Sequence, residues 1–175
     1  MKTQTEASQA ALNPKKALTL LEEGNKRFVE NLKAHRNHLD QVNETRDGQY
    51  PFAIILSCID SRVPAELVFD QGLGDIFSVR IAGNFVNEDI LGSMEFACKV
   101  AGSKLIVVLG HTNCGAVKGV CDNVELGNLT SLLRKLQPAK DAVTVKGEQS
   151  SRNTEYVQKI ADKNVSFTIQ EIKTK

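Results

Sequence analysis

The chain is 175 residues long, 41% hydrophobic and 25% charged, with 22 basic residues against 21 acidic ones and a formal net charge of +1. That length fits one domain with a real core, and the balanced charge argues against a nucleic-acid or anionic-membrane partner, which needs a dense basic face. No apolar run approaches the roughly 20 residues of a membrane span, and the polar N-terminus has no apolar signal core, so the expectation is a cytoplasmic protein, or an exported one whose signal has been removed.

The first predicted element is a helix. Asn13 suits its cap and Pro14 its first turn, and Leu18, Leu21, Phe28, Val29 and Leu32 then fall near helical spacing, with Gly24 marking a break. Residues 35–48 are polar and read as a loop that contains the solvated His35 and His38. The continuous apolar run at residues 52–56 reads as a strand buried on both faces. Pro64 opens a short helix, and residues 76–81 form a second strand that ends at Ala82-Gly83-Asn84. Residues 89–100 read as a helix with Ile90, Leu91, Met94, Ala97 and Cys98 on one face, and residues 105–109 as a third buried strand. Helices follow from Cys114, over residues 129–136 and over residues 153–172. This alternation predicts an α/β fold: a single domain with a central, mostly parallel β-sheet flanked by helices, plus an N-terminal helical arm. The arm and loop occupy 1–48 and the core 49–175.

Two clusters carry chemistry. Cys58-Ile59-Asp60-Ser61-Arg62 follows the first strand directly, and His111-Thr112-Asn113-Cys114 follows the third. Open parallel sheets place their sites at the carboxyl ends of strands, so the two clusters are expected to meet. Cys, His and Cys are three good zinc ligands, and a catalytic zinc site keeps three protein ligands with a fourth position open. Asp60 fills that position in a closed form or leaves it; Arg62 can hold Asp60 in a bidentate pair and keep it off the metal. Taken alone, H-x-x-C and C-x-D-x-R are weak signals, and a single buried Cys or His is more often packing. Their joint occurrence at two strand ends points to metal binding. The other two of the 4 cysteines, Cys98 and Cys121, read as core residues.

With both clusters in hand, the chain resembles the β-carbonic anhydrases over roughly residues 17–119. The resemblance rests on C-x-D-S-R at 58–62, D-Q-G-L-G-D at 70–75, V-R-I-A-G-N at 79–84, S-M-E-F-A at 93–97 and G-H-T-N-C-G-A-V at 110–117. It implies zinc on Cys58, His111 and Cys114 and a catalytic dyad of Asp60 and Arg62. The implied reaction is reversible hydration of carbon dioxide to bicarbonate and a proton, by attack of a zinc-bound hydroxide that the dyad orients. It also implies a substrate pocket at Gln49, Phe77 and Phe96. Phe96 departs from the family's Tyr, and Ile55 stands where one branch has the Trp of a non-catalytic bicarbonate site. A homodimer or larger homo-oligomer is implied, with the N-terminal helix reaching a neighbouring subunit; packing on its own domain is the alternative. A strand expected after the last helix is missing from this sequence. Two other functions stay open: hydrolysis of carbon disulfide or carbonyl sulfide on the same scaffold, and a truncated zinc-binding form with little activity.

Overall fold

The computed structural model describes residues 2–175. Three strands, β1 (Ala53–Ser57), β2 (Ile76–Arg80) and β3 (Leu105–Leu109), form one parallel sheet in the order β2-β1-β3. The Phe52 N–H donates to the Asp75 carbonyl at 2.9 Å, and the Ile81 N–H donates to the Ser57 carbonyl at 3.0 Å, so β1 and β2 ascend in register. Every residue of the central strand β1 is buried, whereas β3 is only partly buried along its length. An unbroken apolar run suits the first position, since a central parallel strand is covered on both faces.

The chain divides into two compact units. The first holds the residues up to Ile55 together with Pro64–Val79 and Glu88–Val107; the second holds Leu56–Val63, Arg80–Asn87 and Val108–Lys175. Each strand therefore begins in the first unit and ends in the second, which places the segments that follow all three strands in one unit.

In the first unit, helices α1 (Glu6–Ala10), α2 (Pro14–Val29), α3 (His38–Glu44), α4 (Ala65–Val68) and α5 (Glu88–Glu95) precede a π-helical turn at Phe96–Val100. Asn13 caps α2 by accepting from the Lys16 N–H, as the sequence predicts. Gly24 does not break α2. A Cβ there would stand 1.8 Å from the Phe69 carbonyl oxygen, so glycine is required by a close helix–helix approach. The segment expected to be loop contains α3, capped by Asn37, whose Gln41 is 1% exposed and accepts from the Leu73 N–H. Helix α1, absent from the sequence reading, opens with a capping box between Thr5 and Ser8. It docks through Gln9, whose amide donates to the carbonyls of Pro51 and Ala101, both at 2.8 Å.

In the second unit, α6 (Gly115–Cys121), α7 (Gly127–Leu133), α8 (Gln137–Asp141) and α9 (Thr154–Thr174) surround a core of Phe85, Val117, Val120, Leu136, Tyr156 and Ile160. Cys121 belongs to this core, as expected; Cys98 is only partly buried in the first unit. Among the described residues, no helix is long and apolar enough to cross a membrane.

Candidate metal centre

The sequence places Cys58 after β1 and His111 and Cys114 after β3; the second unit brings the three together. One ligand atom from each lies within 4.8 Å of the others. Cys114 is the N-cap of α6, with extended backbone at φ −61° and ψ 122°, and the Val117 and Ala116 N–H groups of the first turn act to lower its pKa. Cys58 is 4% and Cys114 1% exposed. Their sulfurs stand 3.9 Å apart and compete for protons. The Cys114 S–H lowers the Cys58 pKa well below the ordinary thiol range, against burial and with help from the Gly83 N–H. The same contact, together with burial, pushes the Cys114 thiol well above its ordinary range. Two thiolates this close need a cation between them.

His111 completes the donor set. Its Nδ1 lies 2.9 Å from the Thr112 carbonyl. A carbonyl can only accept, so Nδ1 carries the proton and Nε2 carries the lone pair. Nε2 is shielded from solvent and has no hydrogen-bond partner among the described residues. Burying an unpaired ring nitrogen is costly unless something takes its lone pair. Two sulfurs and one imidazole nitrogen with a free lone pair fit a soft, tetrahedral metal such as zinc.

Asp60 is not among these ligands. Its Oδ1 accepts from Arg62 Nε at 2.9 Å and from the Arg62 N–H at 3.0 Å, and its Oδ2 accepts from Arg62 Nη2 at 2.7 Å. The Arg62 hydrogen bonds hold this carboxyl well below the usual carboxylate range. Asp60 Oδ2 lies 3.9 Å from His111 Nδ1, so the dyad borders the ligand cluster while staying off it. Arg80 was not singled out from the sequence. Its Nε donates to the Cys58 carbonyl at 3.0 Å and its Nη2 to the Asp60 carbonyl at 2.6 Å, which clamps the loop that carries both residues. The Gly83 N–H reaches Cys58 Sγ at 3.4 Å. Both Arg80 and Gly83 lie in V-R-I-A-G-N, where the signal was a strand end followed by a glycine turn.

The remaining predicted residues lie in the first unit. Phe77 on β2 and Phe96 in the π-helical turn meet edge to face, with ring centroids 6.3 Å apart and an interplanar angle of 69°. Phe96 is 53% exposed, and Gln49 is an exposed residue ahead of β1.

A family model described as carbonic anhydrase matches residues 53–175. Carbonic anhydrase 2 of Mycobacterium tuberculosis is 47% identical over 118 residues, which are 67% of this chain and 57% of that protein. The carbonic anhydrase of Mycolicibacterium smegmatis is 43% identical over 120 residues, 68% of this chain and 58% of that one. The chain thus spans little more than half the length of these relatives. Among solved structures, a Coccomyxa β-carbonic anhydrase in complex with acetazolamide superposes with a TM-score of 0.67 at 25% identity, covering 89% of this chain and 71% of that one. Tetrameric β-carbonic anhydrases from Sordaria macrospora superpose with a TM-score of 0.65 at 25% identity, covering 89% and 80%. The matched segment carries both ligand-bearing loops and all three strands, and the chain belongs to the β-carbonic anhydrase family.

Proposed function

We propose that this chain binds one zinc ion through Cys58 Sγ, Cys114 Sγ and His111 Nε2 and catalyses the reversible hydration of carbon dioxide to bicarbonate and a proton. The buried, unpartnered His111 Nε2 beside two close sulfurs is the observation that carries the reading. Bound zinc supplies Lewis acidity that makes water a nucleophile near neutral pH. Arg62 keeps Asp60 ionised and turned away from the metal ligands. Asp60 then accepts a hydrogen bond from the attacking water and aims its lone pair at the carbon. Arg80 holds the Cys58 and Asp60 carbonyls, so thiolate and carboxylate keep one relative placement.

The same reading makes the chain a homodimer or larger homo-oligomer. Leu18, Val29 and Leu32 leave an exposed apolar face on and just beyond α2, although Ala17 and Leu21 are buried within the chain itself. The tetrameric relatives from Sordaria macrospora support this assignment.

Stopped-flow measurement of carbon dioxide hydration by zinc-stripped and zinc-reloaded protein tests the activity. Acceleration over buffer that appears only on reloading is expected. A zinc-replete protein that hydrolyses carbon disulfide or carbonyl sulfide but not carbon dioxide would overturn it.

A further inference from the structure

The buried face of α9 changes character along its length. Tyr156, Val157, Ile160 and Ala161 are apolar or aromatic core residues, but the next buried positions are Asn164 at 4% and Thr168 at 3% exposure. A buried amide is costly unless it is bonded, and the Asn164 Nδ2 donates to the Gly83 carbonyl at 2.7 Å. One helical turn later the Thr168 hydroxyl reaches the Asn84 carbonyl at 3.4 Å.

Both carbonyls belong to the turn at residues 81–84, closed by the Asn84 N–H donating to the Ile81 carbonyl at 3.0 Å. Gly83 takes a φ of +80° there, a conformation open chiefly to glycine. A Cβ would also stand 2.7 Å from Leu136 Cδ2. The turn leaves the Gly83 N–H outside its own hydrogen bonding, and that N–H is the donor to Cys58 Sγ at 3.4 Å.

We propose that Asn164 is a positioning residue for the metal centre: by pinning the Gly83 carbonyl it aims the Gly83 N–H at the Cys58 sulfur. The inference rests on the zinc reading given above. A thiolate that accepts a hydrogen bond donates less charge to its metal. Two thiolates would otherwise quench much of the ion's acidity, so this bond preserves the property the reaction needs. Partners one step removed from a metal hold its ligands in place, and losing one costs roughly 10–100-fold in affinity or activity.

The test compares wild type, Asn164→Leu, Asn164→Ala and Ile160→Val, each loaded with zinc in competition with a chromophoric chelator and separately with cobalt(II). Ile160 lies on the same buried face, and its substitution supplies a loss of packing without loss of a donor. The expected result is zinc binding weakened about tenfold or more in both Asn164 variants. Their thiolate-to-cobalt charge-transfer band should move to lower energy, with Ile160→Val unchanged in both respects. Asn164 variants that lose stability yet keep wild-type zinc affinity and band position overturn the inference alone. A wild type that takes up no metal overturns the zinc reading as well. A measurement on the intact protein stands even if the variants do not fold: in cadmium-113-loaded wild type the Gly83 amide proton should show scalar coupling to the metal through sulfur. Absence of that coupling contradicts the proposal.

Discussion

In the proposed zinc site Cys114 supplies one of the two sulfurs, so substituting it should empty the site. Cys114→Ser is expected to lose stoichiometric zinc by metal analysis; one zinc per chain in that variant would contradict the ligand set. Asp60 makes no claim on the metal, so Asp60→Ala should keep its zinc and lose turnover by about tenfold or more, read by stopped-flow on metal-matched samples. Asp70 supports the fold instead. It is 6% exposed and accepts from Arg27 Nε at 2.5 Å and Arg36 Nη1 at 2.6 Å. Burial pushes its pKa up, but Arg27, Arg36 and the Ala34 N–H outweigh that and leave it lowered. Breaking such a buried pair costs about 3–5 kcal/mol, so Asp70→Asn should unfold well below wild type in denaturant. A lowered folded pKa means stability that is present above the unfolded value of about 3.9 and lost as pH falls through the folded one. The gap between wild type and Asp70→Asn should therefore hold at neutral pH and narrow below about pH 4. Asp75, raised by burial, shifts with the opposite sign, which is why the comparison is between the two proteins at each pH. The Cys58–His111–Cys114 cluster and the Asp60–Arg62 pair were legible because each is a chemical group placed just after an apolar strand. Gly83 and Asn164 were not, because one acts through its backbone and the other through a carbonyl far along the chain.

Strands and long helices announced themselves by apolar pattern and caps, and β1, β2, β3, α2 and α9 lie within a residue or two of their predicted limits, apart from the far end of α2, which stops at Val29. The short polar helices α1 and α3 did not, because their burial depends on Gln9 and Gln41, whose worth lies in distant backbone partners. Gly24 shows the same limit in reverse: glycine's weak helix propensity suggested a break, while the tertiary contact with Phe69 required glycine inside an intact helix. Gly24→Ala should gain about 1 kcal/mol of helix propensity and lose more, since overpacking costs typically about 1–3 kcal/mol and here meets backbone. A lower denaturant midpoint is expected; an unchanged or higher one would mean that α2 and the Phe69 carbonyl are not in contact. Asn153, which caps α9 by accepting from the Tyr156 N–H at 3.1 Å, should cost about 1 kcal/mol on replacement by Ala.

For the whole molecule, the sheet gathers every strand's carboxyl end into one unit, and the proposed chemistry sits there as it does in open parallel sheets generally. The exposed apolar face at Leu18, Val29 and Leu32 predicts self-association. Light scattering during size-exclusion chromatography should give twice the chain mass of 19.2 kDa or more, and a clean monomer at micromolar concentration would contradict that assignment. The proposed zinc site takes two thiolates and one imidazole from the ends of β1 and β3. X-ray absorption at the zinc edge of the reloaded protein reads that donor set. The predicted spectrum has two sulfurs at about 2.3 Å and two nitrogen or oxygen neighbours at about 2.0–2.2 Å. A shell of four sulfurs, or one with none, would contradict it.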